Sequence, residues 1–558
     1  MQKEAQQQIQ QYAKTILPTF SKQLQHLINI RSESQDPAQR KNLPKILQEM
    51  GKLLKLMNIR YTIVPNHGYP ALIATIPSNK SSKTITLYNH LDVQPVDAKD
   101  WQLKKHHMKT PFDAKETNGI IHGRGATDDK GPALTALHAI NALRKMNLSH
   151  PKIQLIYETE EESGSGHFAT LLNENKKHLI KPNAILVTDT IFEGDHPSIT
   201  CSLRGLAKTE ISVPLQTKNQ NNHKNDFEVI DITGGDQRPE GIATKIPPKA
   251  SMFIKINKNQ DAFIRYTKET YPYITITKNK NYLTLTSTVG KKDIHSGVFG
   301  GIVRNPLTIL SSITGSYATN QLNISIKNQT PLTQLCSLIA QTIDFQTGNV
   351  SIPHFYDATP TITPHHHAHL TATSKAVDLF HDLQQEGIDL KQIYTTSGVD
   401  ARIRAWHKPT FEIHGFVIDK KTNTARLKVT ARLVGKQNPQ HVLNNIEKHV
   451  HRLLKSTHCT HHTGTPAITT PIENIYVKFA ATACTKGFGK KTLFVGGGGT
   501  IGSMPPFAHT FPKVPIVLLA LSKMSDGYHA PDECYELAQA HKGIVVIAEY
   551  LHEVSKIN

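Results

Sequence analysis

Apolar residues occur in short, β-branched bursts through the first third of the chain. Residues 85–88, 152–157 (KIQLIY) and 184–188 (AILVT) are too short for helices and predict strands covered on both faces. Between the first two, residues 131–146 place Leu134, Leu137, Ile140 and Leu143 at near-helical spacing, which predicts a buried helix face. Each strand runs directly into acidic or histidine residues. In open α/β sheets ligands bind at the carboxyl ends of strands, so this threefold coincidence is the first functional signal.

Residues 214–249 change character, being polar, rich in Asn and Lys, and punctuated by Gly and Pro. Residues 251–256, 282–289, 411–418 and 427–434 then alternate like half-buried strands. The apolar run 514–521 returns to sheet character. The pattern predicts an α/β domain, with a mostly parallel sheet and helices on both faces, built from residues 1–207 and 436–558. An α+β domain over 208–435 interrupts it.

Composition narrows the partners. The 558 residues hold 64 Lys+Arg against 45 Asp+Glu, a net charge of +19. The basic residues are spread out, with no long block and no aromatic interleaving, so a solvated basic surface is expected and nucleic-acid binding is not. No stretch reaches about 18 consecutive apolar residues, so no membrane span is expected, and the N-terminus lacks the apolar core of a signal peptide. The five cysteines are odd in number, scattered and free of CxxC. That excludes a disulfide scaffold or Cys-type zinc finger and points to a reducing, cytoplasmic setting. The histidine tracts at 365–367 and 461–462 sit among Thr and Pro and read as exposed loops.

Four clusters carry chemistry: His90-x-Asp92, the run 123–131 with Asp128 and Asp129, Glu160-Glu161-Glu162 with the Ser-Gly-Ser after it, and Asp189. A fifth, residues 528–533 with His529 and Glu533, follows the last apolar strand. Alone, each has a plainer reading: a loop, a solvated acidic turn, or an N-cap for Asp128-Asp129. Together they offer two imidazoles and three carboxylates, a donor set for Zn²⁺, Mn²⁺ or Co²⁺. Carboxylates so concentrated repel one another unless cations neutralise them.

YNHLDVQP, GRGATDDKGP, EEESGS, DIHSGVFGG and YHAPDE together resemble the motifs of the zinc-dependent aminoacylase/carnosine dipeptidase family of metallopeptidases. Acetylornithine deacetylase, succinyl-diaminopimelate desuccinylase and bacterial Xaa-His-type dipeptidases share that family. The resemblance spans roughly 20–210 and 285–558. It implies a di-metal hydrolase with an inserted lid, holding two divalent ions, zinc first and Mn or Co as alternatives. By motif, His90 and Asp189 hold one ion, Glu162 and His529 the other, and Asp128 bridges both. Asp92 hydrogen-bonds the free nitrogen of His90, and Glu161 is the general base. The triple Glu leaves the register open on its residues alone, and the Ser-Gly-Ser after it sets the pair as Glu161 and Glu162. His295 is the expected oxyanion donor, Arg432 the clamp for a substrate carboxylate, and Gly502 and Ser503 part of a substrate loop.

The implied substrate is a dipeptide with a free C-terminal carboxylate. An N-acyl amino acid cleaved by a deacylase, or a non-catalytic binding role for the same fold, are the alternatives. Three departures from the family pattern stand out. Far more residues separate Arg204 from His295 than in carnosinase-like members, matching the enlarged lid of monomeric bacterial dipeptidases, and Lys245 stands where that lid carries an oxyanion-binding Asn. Tyr88-Asn89 also replaces the commoner small residue before His90. A monomer is therefore expected over the homodimer of short-lid relatives, in which the HSG-motif histidine reaches across the interface.

Overall fold

The computed structural model describes residues 3–215, 227–462, 464–499 and 501–557. Part of the polar stretch noted above, residues 216–226, lies outside them. The chain divides into two compact units: Met1–Ser202 with Thr469–Val495 and Ile501–Asn558, and Leu203–Ile468 with Gly496–Thr500.

The first unit is built on a sheet whose strands run in the order Tyr61–Val64, Ala71–Ile76, Lys152–Glu158, Thr84–His90, Ala184–Val187, Ile516–Leu519 and Ser198–Leu203. The central pairings, Thr84–His90 with Lys152–Glu158 and Ala184–Val187, and Ala184–Val187 with Ile516–Leu519, are parallel. Antiparallel pairs flank them. The apolar runs therefore sit as the pattern predicts: Thr84–His90 is buried along its whole length.

Alternation along that strand divides the core. Ile85 and Leu87 join one cluster with Leu134, Leu137 and Ile140 of the helix Gly131–Lys145. Tyr88 faces the other way, edge-on to Phe168 and Phe507 from the helices Phe168–Glu174 and Met504–Thr510. Helices thus cover both faces. The long N-terminal helix Lys3–Ile28 is tied down through His138, whose ring nitrogens lie 2.8 Å from Gln23 Oε1 and 3.3 Å from the Tyr12 hydroxyl. Burial pulls the His138 pKa down to about 4.

The second unit is α+β. One antiparallel sheet runs Thr410–Asp419, Thr424–Leu433, Gly205–Pro214, His458–His461. Another runs Phe227–Thr233, Lys249–Ile256, Leu283–Thr288, Thr275–Lys278. Both contribute to one apolar core with the helices Pro306–Ser316 and Pro331–Thr342. Two expectations for the histidine tracts change here. Residues 365–367 are helical, inside Pro364–Ala376, because Thr363 caps the helix onto the His366 amide and Pro364 occupies its first turn. His461 ends a strand, with its ring bonded to Thr209 and Glu447.

The five cysteines are unpaired. Among the described residues no helix is long and apolar enough to cross a membrane.

Candidate active site

Three neighbouring strands of the parallel sheet deliver the site. His90 is the last residue of its strand, Asp189 follows Val187 by two, and the strand Lys152–Glu158 runs into a short 3-10 turn at Glu161–Ser163. His529 arrives from the loop after Ile516–Leu519, and its φ of 57° lies in the left-handed region that non-glycine residues seldom adopt.

Ligand-type atoms of His90, Asp128 and Asp189 lie within 4.8 Å of one another, as do those of Asp128, Glu162 and His529. Asp128 belongs to both groups. Its Oδ1 is 3.0 Å from His90 Nε2 and its Oδ2 is 2.7 Å from His529 Nε2. Asp189 Oδ2 stands 3.6 Å from His90 Nε2, and Glu162 Oε2 stands 3.3 Å from His529 Nε2. His529 keeps 47% of its side chain exposed, against 2% for Asp128 and Glu162, so the cluster meets solvent on that side.

The electrostatics fit divalent cations. Burial first, and then the surrounding carboxylates, push Glu161 and Glu162 up to about 8 and Asp189 up to about 7. Burial works against the His529 cation, yet Asp128 and Glu162 hold its pKa up at about 11. Asp128 is held well below the usual carboxylate range despite burial, by the two imidazoles. Such a cluster balances its charge with protons, and two dications on this N/O donor set would take their place. Glu162 Oε1 is buried without a hydrogen-bond partner, as an unused ligand atom would be.

Four further groups brace the cluster. Asp92 approaches His90 Nδ1 to 3.5 Å through its carboxylate, while its backbone carbonyl lies 3.1 Å from the same nitrogen. The Asp92 carboxylate also accepts the backbone N–H groups of Glu161 and Glu162. Asp129 accepts the His90 backbone N–H at 3.1 Å and the Asn89 side chain at 2.8 Å, so it positions His90 rather than capping the helix that follows. Glu533 accepts from Arg124 and from the amides of Gly125, Thr127 and Asp128, fixing the loop that carries Asp128. Tyr528 donates to Asp189 Oδ1 at 2.5 Å. The roles of Asp129 and Glu533 were not apparent in the sequence, although both sit inside its acidic motifs.

The three consecutive glutamates differ in surroundings. Glu160 is bound to the His167 amide at 2.9 Å and ring at 2.6 Å. Glu161 lies in the field of His90, Asp189 and Asp128. Glu162 faces His529. Ser503 is buried, and the chain at Gly502 runs so close to the Gly164 carbonyl that a Cβ there would lie 2.5 Å from it.

In the second unit, Arg432 is buried with its guanidinium 3.4 Å from Ser296 Oγ, and burial pulls its pKa down to about 10. Arg204, equally buried, donates to the Gly297 carbonyl and reaches that of Gly300 at 3.4 Å, which anchors the turn after His295. Lys245 pairs directly with His295 in a short antiparallel ladder and is exposed, its Nζ 3.9 Å from Asp293.

A sheet whose central parallel strands carry a shared-carboxylate, two-imidazole cluster at their ends has the make-up of a metallohydrolase. The sequence model of Peptidase family M20/M25/M40 matches residues 86–553, and the chain belongs to that family: it is a metallopeptidase. Among curated proteins it is similar to the Cys-Gly metallodipeptidase dug1 of Schizosaccharomyces pombe, with 24% identity over 88% of this chain and 83% of that one. It is also similar to human Beta-Ala-His dipeptidase, with 21% identity over 88% and 78%. Its fold matches human carnosine dipeptidase 1 at a TM-score of 0.63, with 19% identity and 99% of both chains covered. The Saccharomyces cerevisiae dipeptidase Dug1p matches at 0.64, with 18% identity and the same coverage.

Proposed function

We propose that this protein hydrolyses the peptide bond of dipeptides that carry a free C-terminal carboxylate. The observation that carries the reading is Asp128 shared between two imidazole–carboxylate groups, with the Glu161 carboxyl beside them and outside both. Both named curated relatives are dipeptidases, which favours this substrate class over N-acyl amino acids.

In this reading His90 and Asp189 hold one divalent ion, Glu162 and His529 the other, and Asp128 both. Zinc suits the set best, with Mn or Co as alternatives. A co-catalytic pair of divalent ions supplies Lewis acidity at the scissile carbonyl and acidifies water. Glu161 takes the proton of the attacking water and returns it to the leaving amine. Asp92 fixes the His90 ring and the start of the Glu161–Ser163 turn together, so base and ligands keep one geometry. From the second unit, acting as a lid, His295 donates to the oxyanion and Arg432 pairs with the substrate carboxylate, a planar match that guanidinium makes bidentately. Gly502 and Ser503 line the substrate from the loop beside Gly164. The unpaired cysteines favour a reducing, cytoplasmic setting.

Metal analysis of purified protein, followed by hydrolysis of a panel of free dipeptides and N-acyl amino acids, tests the reading. About two divalent ions per chain and turnover of free dipeptides are expected. Turnover confined to N-acyl amino acids would replace it with the deacylase reading.

A further inference from the structure

The helix Pro364–Ala376 carries a histidine cluster that the proposed chemistry does not use. Leu370 and Thr373 are its buried residues, while His365 and His367 are exposed and His366 and His369 half-buried. Residues four apart on a helix stack over one another, so His365 and His369 face each other across one turn. Their Nε2 atoms are 3.2 Å apart, their ring centroids 4.6 Å apart, and their planes 83° apart. The neighbouring rings differ. His366 stacks on His407, and His367 turns towards Thr371.

The separation of the two nitrogens is the informative quantity. Imidazole nitrogens bind zinc at about 2.0–2.1 Å, so two of them 3.2 Å apart subtend an angle of about 99–106° at a shared ion. That lies between the square and tetrahedral values, the range that cis ligands occupy. Two imidazoles with open positions for water suit Zn²⁺, Cu²⁺ or Ni²⁺ and discriminate against Mg²⁺ and Ca²⁺, which prefer oxygen.

We propose that His365 and His369 form a divalent transition-metal site on this helix, sharing no residue with the cluster around Asp128. The ion joins the first turn of the helix to the second through two side chains, and water completes its coordination. No redox change is involved: two metal–nitrogen bonds form as two metal–water bonds break, and the proton that one Nε2 shares with the other moves to its own ring's Nδ1 by way of solvent.

Copper(II)–iminodiacetate probes such a site in the enzyme loaded with its catalytic ions, because the chelate leaves cis positions open for two imidazoles. The expected result is one equivalent of chelate with a two-imidazole pulsed-EPR pattern. That pattern is lost in His365→Ala and, separately, in His369→Ala, and it is retained in His367→Ala. Dipeptide turnover of the three variants, unchanged from the parent, certifies their fold. Absence of a two-imidazole pattern in the parent, its survival in either His365→Ala or His369→Ala, or its equal loss in His367→Ala would overturn the site.

Discussion

Asp92 holds Glu162 by its backbone: Asp92 Oδ2 accepts the Glu162 amide at 3.0 Å, and Oδ1 accepts that of Glu161 at 3.2 Å. The same carboxylate lies 3.5 Å from His90 Nδ1. One buried acid therefore sets the orientation of an imidazole on one strand end and the position of two glutamates beyond the next. Asp92→Asn keeps the shape but turns an N–H donor towards an amide or ring donor. Metal affinity or turnover is expected to fall by about 10–100-fold, the scale of such supporting ligand partners. Parallel metal titration and kinetics check it, and an unchanged variant would refute the coupling.

The neighbouring glutamates separate cleanly by experiment. Glu161→Gln removes the proposed proton acceptor, so turnover should drop by at least about 10²-fold while metal content persists. Glu160→Gln disturbs only the contact with His167 and should keep substantial turnover. The reverse result would assign the base to Glu160.

Arg432 is the proposed clamp for the substrate carboxylate. Arg432→Ala should lower kcat/KM for free dipeptides by about tenfold or more, the loss of one charged hydrogen-bonded pair. Amidated dipeptides should already be poor substrates of the parent enzyme. Equal rates on free and amidated dipeptides would rule out a carboxylate clamp, a comparison that does not depend on how the variant folds.

Stability should respond to pH through His138. Its folded pKa of about 4 lies below the unfolded value of about 6.5, so the unfolded chain binds more protons between the two. Stability contributed by neutral His138 is thus complete above about 6.5 and is lost as pH falls towards 4. Its share of the slope is at most about 1.4 kcal/mol per pH unit. Denaturant unfolding of the parent and of His138→Gln at pH 4.5, 5.5 and 6.5 should show the shallower slope in the variant; identical slopes would exclude the assignment.

The expected monomer can be tested by mixing. Inactive Glu161→Gln and inactive His295→Ala proteins, combined under conditions that exchange subunits, should stay inactive if each chain uses its own His295. Recovered activity, together with a dimer by light scattering, would show that His295 serves a neighbouring chain.

Much of this was legible in the sequence because the chemistry lies next to strong periodic signals. His90, Glu162 and Asp189 each sit within a few residues of a short apolar strand, and strand ends are where parallel sheets present ligands. The helix Gly131–Lys145 was equally clear from its apolar spacing. Less legible was everything that depends on long-range pairing. Glu533 reaches back to the amides around Gly125, and Asp129 turns to the His90 backbone, contacts that no local spacing encodes. The histidines at 365–367 looked like loop residues because Thr and Pro surround them. Here those residues start a helix, since a capping Thr followed by Pro is a helix N-terminus as readily as a turn.

The strand Ile516–Leu519 sits inside the sheet, between Ala184–Val187 and Ser198–Leu203. While the chain is being made, those two strands are synthesised more than 300 residues before the one that fills the gap between them. At about 5–20 residues per second they wait for many seconds with open hydrogen-bonding edges. The nascent first unit is therefore expected to need protection from aggregation until the strand Ile516–Leu519 has been made. For the same reason, a chain stopped short of residue 516 is expected to aggregate rather than to persist as a partly active enzyme.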